Sequence, residues 1–190
     1  MKKLITTLAL SFFIVTAFSQ EVQNDQDAIS NRETGKNELS IGALNLVAFG
    51  ALDVAYERII TPNSSWAVEA FILALDRESE DAADAYSKDF SLTGKYKYFF
   101  GERTAWGFYV NGLAMISSGE YEKDVLQPDG WYEYETEDYT DFALGFGLGG
   151  KFVSRQGFFL DLSTGIGRNL FSNNSPTIIG QFNVNLGFRF

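Results

Sequence analysis

Nine charged residues fall on the polar side of segments that alternate apolar with small residues. They are Asp53, Glu57, Glu69, Asp141 and Asp161, with Lys95, Lys97, Lys151 and Arg189. Opposite charges confined to a narrow interior have to pair, because an unpaired buried charge is costly. The expected chemistry is a structural charge network. The sharper alternative is a gated ion or proton path along Glu57, Glu69 and Lys95.

A second group of candidates lies in two acidic stretches. Loop 75–89 carries Asp76, Glu78, Glu80, Asp81, Asp84 and Asp89. Segment 119–141 carries Glu120, Glu122, Asp124, Asp129, Glu133, Glu135, Glu137, Asp138 and Asp141. Hard oxygen ligands suit calcium or magnesium, but no Asp-x-Asp-x-Asp-Gly spacing is present. Solvated charged loops are therefore expected, with no metal site assigned. Within the second stretch, Gln127-Pro128-Asp129-Gly130 is a strong turn sequence. Tyr121, Trp131, Tyr132 and Tyr134 flank it and are the loop-binding candidates. A hairpin there offers strand addition to a protein, or ring stacking to a glycan.

Other chemistry is excluded by absence. The chain has no His and no Cys. That removes Ser-His-Asp hydrolysis, a thiol nucleophile, any disulfide and the commonest metal ligand. The glycines at 145, 147, 149 and 150 evoke a phosphate loop but sit at strand spacing. No enzyme and no cofactor are expected. The net charge of −10 also argues against nucleic acid.

The elements that position these residues are strands. Segments 38–48 and 51–60, one starting at Trp66, 89–100, one starting at Trp106, 142–152, 158–167 and the last ten residues all alternate with period two. Leu44, Asn45 and Leu46 break phase in the first segment, which predicts a bulge. Every even segment ends in a short turn, and long connections follow the third and fifth. The first pair, joined only by Phe49-Gly50, departs from that rule. The last strand puts Phe182, Val184, Leu186, Phe188 and Phe190 on one face and Arg189 on the other. Trp66, Phe100, Trp106, Phe152, Phe158, Phe188 and Phe190 cluster near the short-turn ends, where a membrane girdle belongs.

Residues 1–19 read as a signal peptide: Lys2 and Lys3, an apolar run from Leu4 to Phe18, and a small-x-small site at Ala17-Phe18-Ser19. Residues 20–37 read as a disordered polar leader, and 38–190 as the barrel. The polar face is rich in Gly, Ser and Thr, which suits a crowded lumen. The apolar face then meets lipid. The expected fold is all-β, an eight-stranded antiparallel up-and-down transmembrane barrel. Eight strands leave an interior that side chains fill, so a general diffusion pore is not expected. A soluble lipocalin-like lipid binder is the reading with the faces reversed.

These features, with the terminal Phe188-Arg189-Phe190, resemble small outer-membrane barrels of the OmpA/OmpX/OmpW type. Segment 38–60, with Tyr56-Glu57-Arg58 closing its second strand, also looks like domains of unknown function common in Gram-negative bacteria with abundant surface barrels. The resemblance implies a Gram-negative outer membrane with its lipid and lipopolysaccharide around the barrel. It implies recognition of the terminal strand by the barrel-assembly machinery, and a monomer. Eight-stranded lipid A deacylases and palmitoyltransferases use a His that this chain lacks. A structural or adhesion-like surface protein binding a protein or glycan is expected. A narrow OmpW-like conduit for a small apolar ligand or ion is the alternative.

Overall fold

In the computed structural model, residues 35–73, 88–126, 132–171 and 175–190 are described. The expected signal peptide, nearly all of the leader and most of the acidic loop 75–88 lie outside them. The described strands are β1 (Asn37–Gly42), β2 (Ala51–Thr61), β3 (Ser64–Leu73), β4 (Phe90–Phe99), β5 (Gly107–Leu126), β6 (Tyr132–Val153), β7 (Phe158–Asn169) and β8 (Ile178–Arg189). Each pairs antiparallel with the next, and β1 pairs with β8 to close the barrel. No described helix is long and apolar enough to cross a membrane.

Alternation decides which way each side chain points. In β4, Phe90, Leu92, Tyr96 and Tyr98 stand exposed, while Ser91, Thr93, Lys95 and Lys97 are buried. The same division runs around the wall. Phe146, Leu148, Phe108 and Phe182 are exposed, and the buried set is dominated by charged and polar groups. A water-soluble barrel has the opposite polarity.

Closure is made at the short-turn end. Phe190 N donates to Asn37 O at 2.8 Å and Asn37 N to Phe190 O at 3.0 Å. From there the β1–β8 ladder runs from Glu38 opposite Arg189 up to Gly42 opposite Asn185. The turns at this end are tight. Gly157 at φ +92° lets Ser154 O accept from Gly157 N, and Ser154 N donates to Phe158 O.

One expected element differs. The first segment is not a bulged strand over 38–48. It is a six-residue strand followed by helix α1 (Ala43–Phe49). The phase break at Leu44-Asn45-Leu46 marks that switch. Gly50, left-handed at φ +62°, ends the helix, and its N–H donates to Asn45 O. The apparent two-residue link to β2 is thus a longer connection at the long-loop end, which restores the short/long rule.

Past the barrel wall, β5 and β6 continue as a two-stranded hairpin. The β4–β5 ladder ends with Phe90 opposite Ser118. The β6–β7 ladder ends with Ala143 opposite Asn169. The β5–β6 ladder runs on from Gly119–Tyr139 to Leu126–Tyr132.

Candidate functional site: the lumen cage and the two rims

Inward-facing side chains of six strands meet low in the bore. Lys151 on β6 is fully buried, with Nζ 2.5 Å from Glu38 on β1 and 2.6 Å from Glu57 on β2. Lys97 on β4 lies 2.7 Å from Glu57 and 2.7 Å from Asp161 on β7. Asp161 in turn lies 3.9 Å from Lys151, which closes a ring. Arg189 on β8 reaches Glu38 at 2.6 Å. Three acids face three bases, so the cage is neutral. Ser65 donates to Glu57, and the Tyr109 hydroxyl donates to Asp161, each at 2.6 Å. The Lys151 ammonium also lies 5.1 Å from the Phe159 ring and 5.3 Å from the Phe99 ring.

Small residues make room for this packing. A Cβ on Gly149 would stand 2.5 Å from Tyr109 Cζ, so the phenol occupies the space a side chain would take. Beneath the cage, Ile59, Phe99, Ala105 and Tyr109 form an apolar floor. Above it, Lys95 pairs with Glu69 at 2.6 Å, and Asn183 donates to the same carboxylate. Higher still, Met115, Ala143 and Ile179 form a second apolar layer.

All nine charged residues singled out from the sequence are buried. The ion pairs take in Glu57, Glu69, Lys95, Lys97, Lys151, Asp161 and Arg189. Asp53 and Asp141 are held differently. Asp53 accepts from Asn45 of α1 at 2.8 Å. Asp141 accepts from the N–H of Phe171 and the hydroxyl of Ser175, which ties the β7–β8 connection to the top of the barrel. Sequence reasoning missed Glu38, Tyr109 and Asn183. Glu38 carried one usable sign, a carboxylate two residues before Ser40 on the small-residue phase of β1.

The short-turn rim has its own construction. Arg189 Nη1 donates to Thr104 O at 2.9 Å and Nη2 to Ala105 O at 3.0 Å. Ala105 is buried at φ +43°, a conformation that costs a non-glycine residue about 1–2 kcal/mol. Its N–H is fixed on Pro62 O at 2.7 Å. Aromatic pairs ring the outside: Tyr56 with Trp66, Trp106 with Phe152, and Phe158 with Phe188, their centroids 5.2 to 6.0 Å apart.

At the other rim, the side chains of Tyr121, Tyr132 and Tyr134, and the whole of Trp131, lie outside the described residues. The backbone places Tyr121 on β5 opposite Glu137, and Tyr134 on β6 opposite Asp124. Phe182, Val184, Leu186, Phe188 and Phe190 line the outward face of β8, with Val184 and Phe188 less exposed than Phe182 and Phe190.

An apolar outer wall, an aromatic girdle and a charge-paired bore define a transmembrane β-barrel of the outer-membrane type. Two solved structures are similar to the chain. Ail, the attachment invasion locus protein of Yersinia pestis, matches over 82% of this chain and 99% of its own, with 16% identity and a TM-score of 0.46. Neisserial surface protein A matches over 82% and 95%, with 12% identity and a TM-score of 0.42. No known family profile and no curated protein matches the chain.

Proposed function

We propose that this chain is a non-enzymatic protein of a Gram-negative outer membrane, with a structurally sealed bore and a surface hairpin as its working part. The observation that carries this reading is the eight-pair continuation of β5–β6 beyond the neighbouring ladders. At ~3.3 Å per residue it projects roughly 25 Å from the wall. A plain connection between two wall strands needs only a short turn. The extended ladder presents two strand edges, and its acids limit indiscriminate pairing. The sequence of segment 119–138 includes Tyr121, Trp131, Tyr132 and Tyr134, residue types that suit a protein or glycan partner.

A conduit has less support. Glu57, the proposed start of an ion path, is shared between Lys97 and Lys151, and Glu69 is held by Lys95 and Asn183. A mobile ion would have to displace those partners.

The test is a chain in which residues 119–138 are replaced by a four-residue turn. Cells displaying it are compared with wild type for adherence to immobilised matrix proteins and glycans, with surface amounts matched. Loss of adherence supports the hairpin. Equal adherence sinks the surface-interaction reading.

A further inference from the structure

Among described residues, the short-turn rim is basic although the chain as a whole is acidic. Lys36, Arg58, Arg103 and Arg155 are exposed there, against Glu102. Two of these arginines border a recess of about 230 Å³ between the β4–β5 and β6–β7 turns. Its lining includes Arg103, Arg155, Arg189, Glu102, Ser154 and Trp106.

The recess runs from the inward-facing Arg189 to Trp106 of the aromatic girdle. Arg189 forms its inner end but is committed to Glu38 and to the carbonyls of Thr104 and Ala105. It therefore acts as a positioning residue for the turn that carries Arg103. The Arg103 guanidinium stacks 5.2 Å from the Trp106 ring, and Trp106 meets Phe152 on the outer wall. Ser154 Oγ is buried and meets no hydrogen-bond partner.

We propose that this recess binds the phosphodiester of a phospholipid headgroup from the leaflet at the short-turn end, an inference that rests on the membrane reading above. Guanidinium forks match phosphate oxygens in paired hydrogen bonds. Arg103 and Arg155 approach from two different turns and grip the phosphate between them. The Ser154 hydroxyl, buried and unpartnered at the recess wall, turns to donate to a phosphate oxygen. Trp106 sits at headgroup depth, as interfacial indoles do. Glu102 at the lip disfavours a dianionic free phosphate and tolerates a singly charged diester.

The experiment is native mass spectrometry of the full mature chain in detergent, with dioleoyl phosphatidylglycerol as the probe. Dioleoylglycerol serves as the phosphate-free control and glycerol phosphate as the soluble competitor. Wild type should retain one phosphatidylglycerol, and Arg103→Gln/Arg155→Gln should bind it about tenfold or more weakly. Arg58→Gln, at the same rim but outside the recess, should bind as wild type does. Equal retention by the double variant, or equal retention of dioleoylglycerol, overturns the site. Displacement by equimolar glycerol phosphate overturns the lipid as its source. A chain that stays folded and monodisperse in plain buffer sinks the membrane reading itself. A micelle-embedded barrel that binds no lipid sinks the site alone.

Discussion

The Lys151 ammonium lies 2.5 Å from Glu38, a residue 113 positions earlier in the chain, and both side chains are fully buried. This contact joins the first strand to the sixth across the bore. Removing Lys151 leaves Glu38 with Arg189 and Glu57 with Lys97 but the buried cage one positive charge short, and breaking such a pair costs about 3–5 kcal/mol. Lys151→Met should therefore lower stability by that amount in urea unfolding from lipid vesicles. Adding Glu38→Gln should recover part of the loss, with a coupling of at least ~1 kcal/mol in a double-mutant cycle. Simple additivity of the two losses would show that the pair is not an energetic unit.

Gly149 and Tyr109 make a steric counterpart to that cage. A Cβ at Gly149 would meet the phenol at 2.5 Å and Leu162 O at 2.7 Å, whereas one at Gly112 meets nothing within 4 Å. Gly149→Ala should cost about 1–3 kcal/mol through overpacking. Gly112→Ala, on the outer wall, should be neutral or stabilising by up to about 1 kcal/mol. In a Tyr109→Ala background the Gly149→Ala cost should shrink but persist, because the Leu162 carbonyl stays in place. A cost unchanged by loss of the phenol would show that backbone crowding alone excludes the methyl group.

The division of faces was legible because a strand has period two. Lys95, Lys97 and Lys151 could go inward only if Tyr96, Tyr98 and Phe152 went outward. The partners were not legible. Glu38 meets Lys151 and Arg189 from 113 and 151 residues away, and no local pattern specifies such contacts. Helix α1 was hidden for another reason. Ala-Leu-Asn-Leu-Val-Ala-Phe suits a short helix or an irregular strand equally well. What favours the helix is tertiary: the Asn45 side chain donates to buried Asp53. The pairing of 119–126 with 132–139 could be read from the alternation on either side of Gln127-Pro128-Asp129-Gly130, while the expected turn itself lies outside the described residues.

The stacked layers of the lumen lead to an electrical prediction. Ion pairs at Glu57–Lys97 and Glu69–Lys95 lie between two apolar layers, around Phe99 and around Met115. Wild type in planar bilayers should show no stable single-channel steps. Replacing Glu57, Lys97, Lys151 and Asp161 together with Ser keeps neutrality while removing bulk, and should introduce conductance. Stable steps from the wild type would contradict a sealed bore. A silent quadruple variant whose folding is intact would place the seal in the apolar layers instead of the cage.

The last strand separates two roles that its neighbouring residues divide between them. Arg189 points inward to Glu38 and is buried, whereas Phe190 is exposed on the outer wall. If the outward aromatics form the assembly determinant, the two positions should fail differently. Arg189→Met leaves the aromatic end intact. It should reach the outer membrane yet unfold at lower urea, because Glu38 keeps Lys151 but loses its second base. Phe190→Ser removes no buried contact and should change in vitro stability by about 0.5 kcal/mol or less. In cells it should nonetheless reduce the heat-modifiable, folded fraction recovered from outer membranes. Wild-type recovery of Phe190→Ser would remove Phe190 from the assembly determinant. Failure of Arg189→Met to reach the membrane would instead tie assembly to closure of the β1–β8 seam, where Glu38 and Arg189 stand opposite each other.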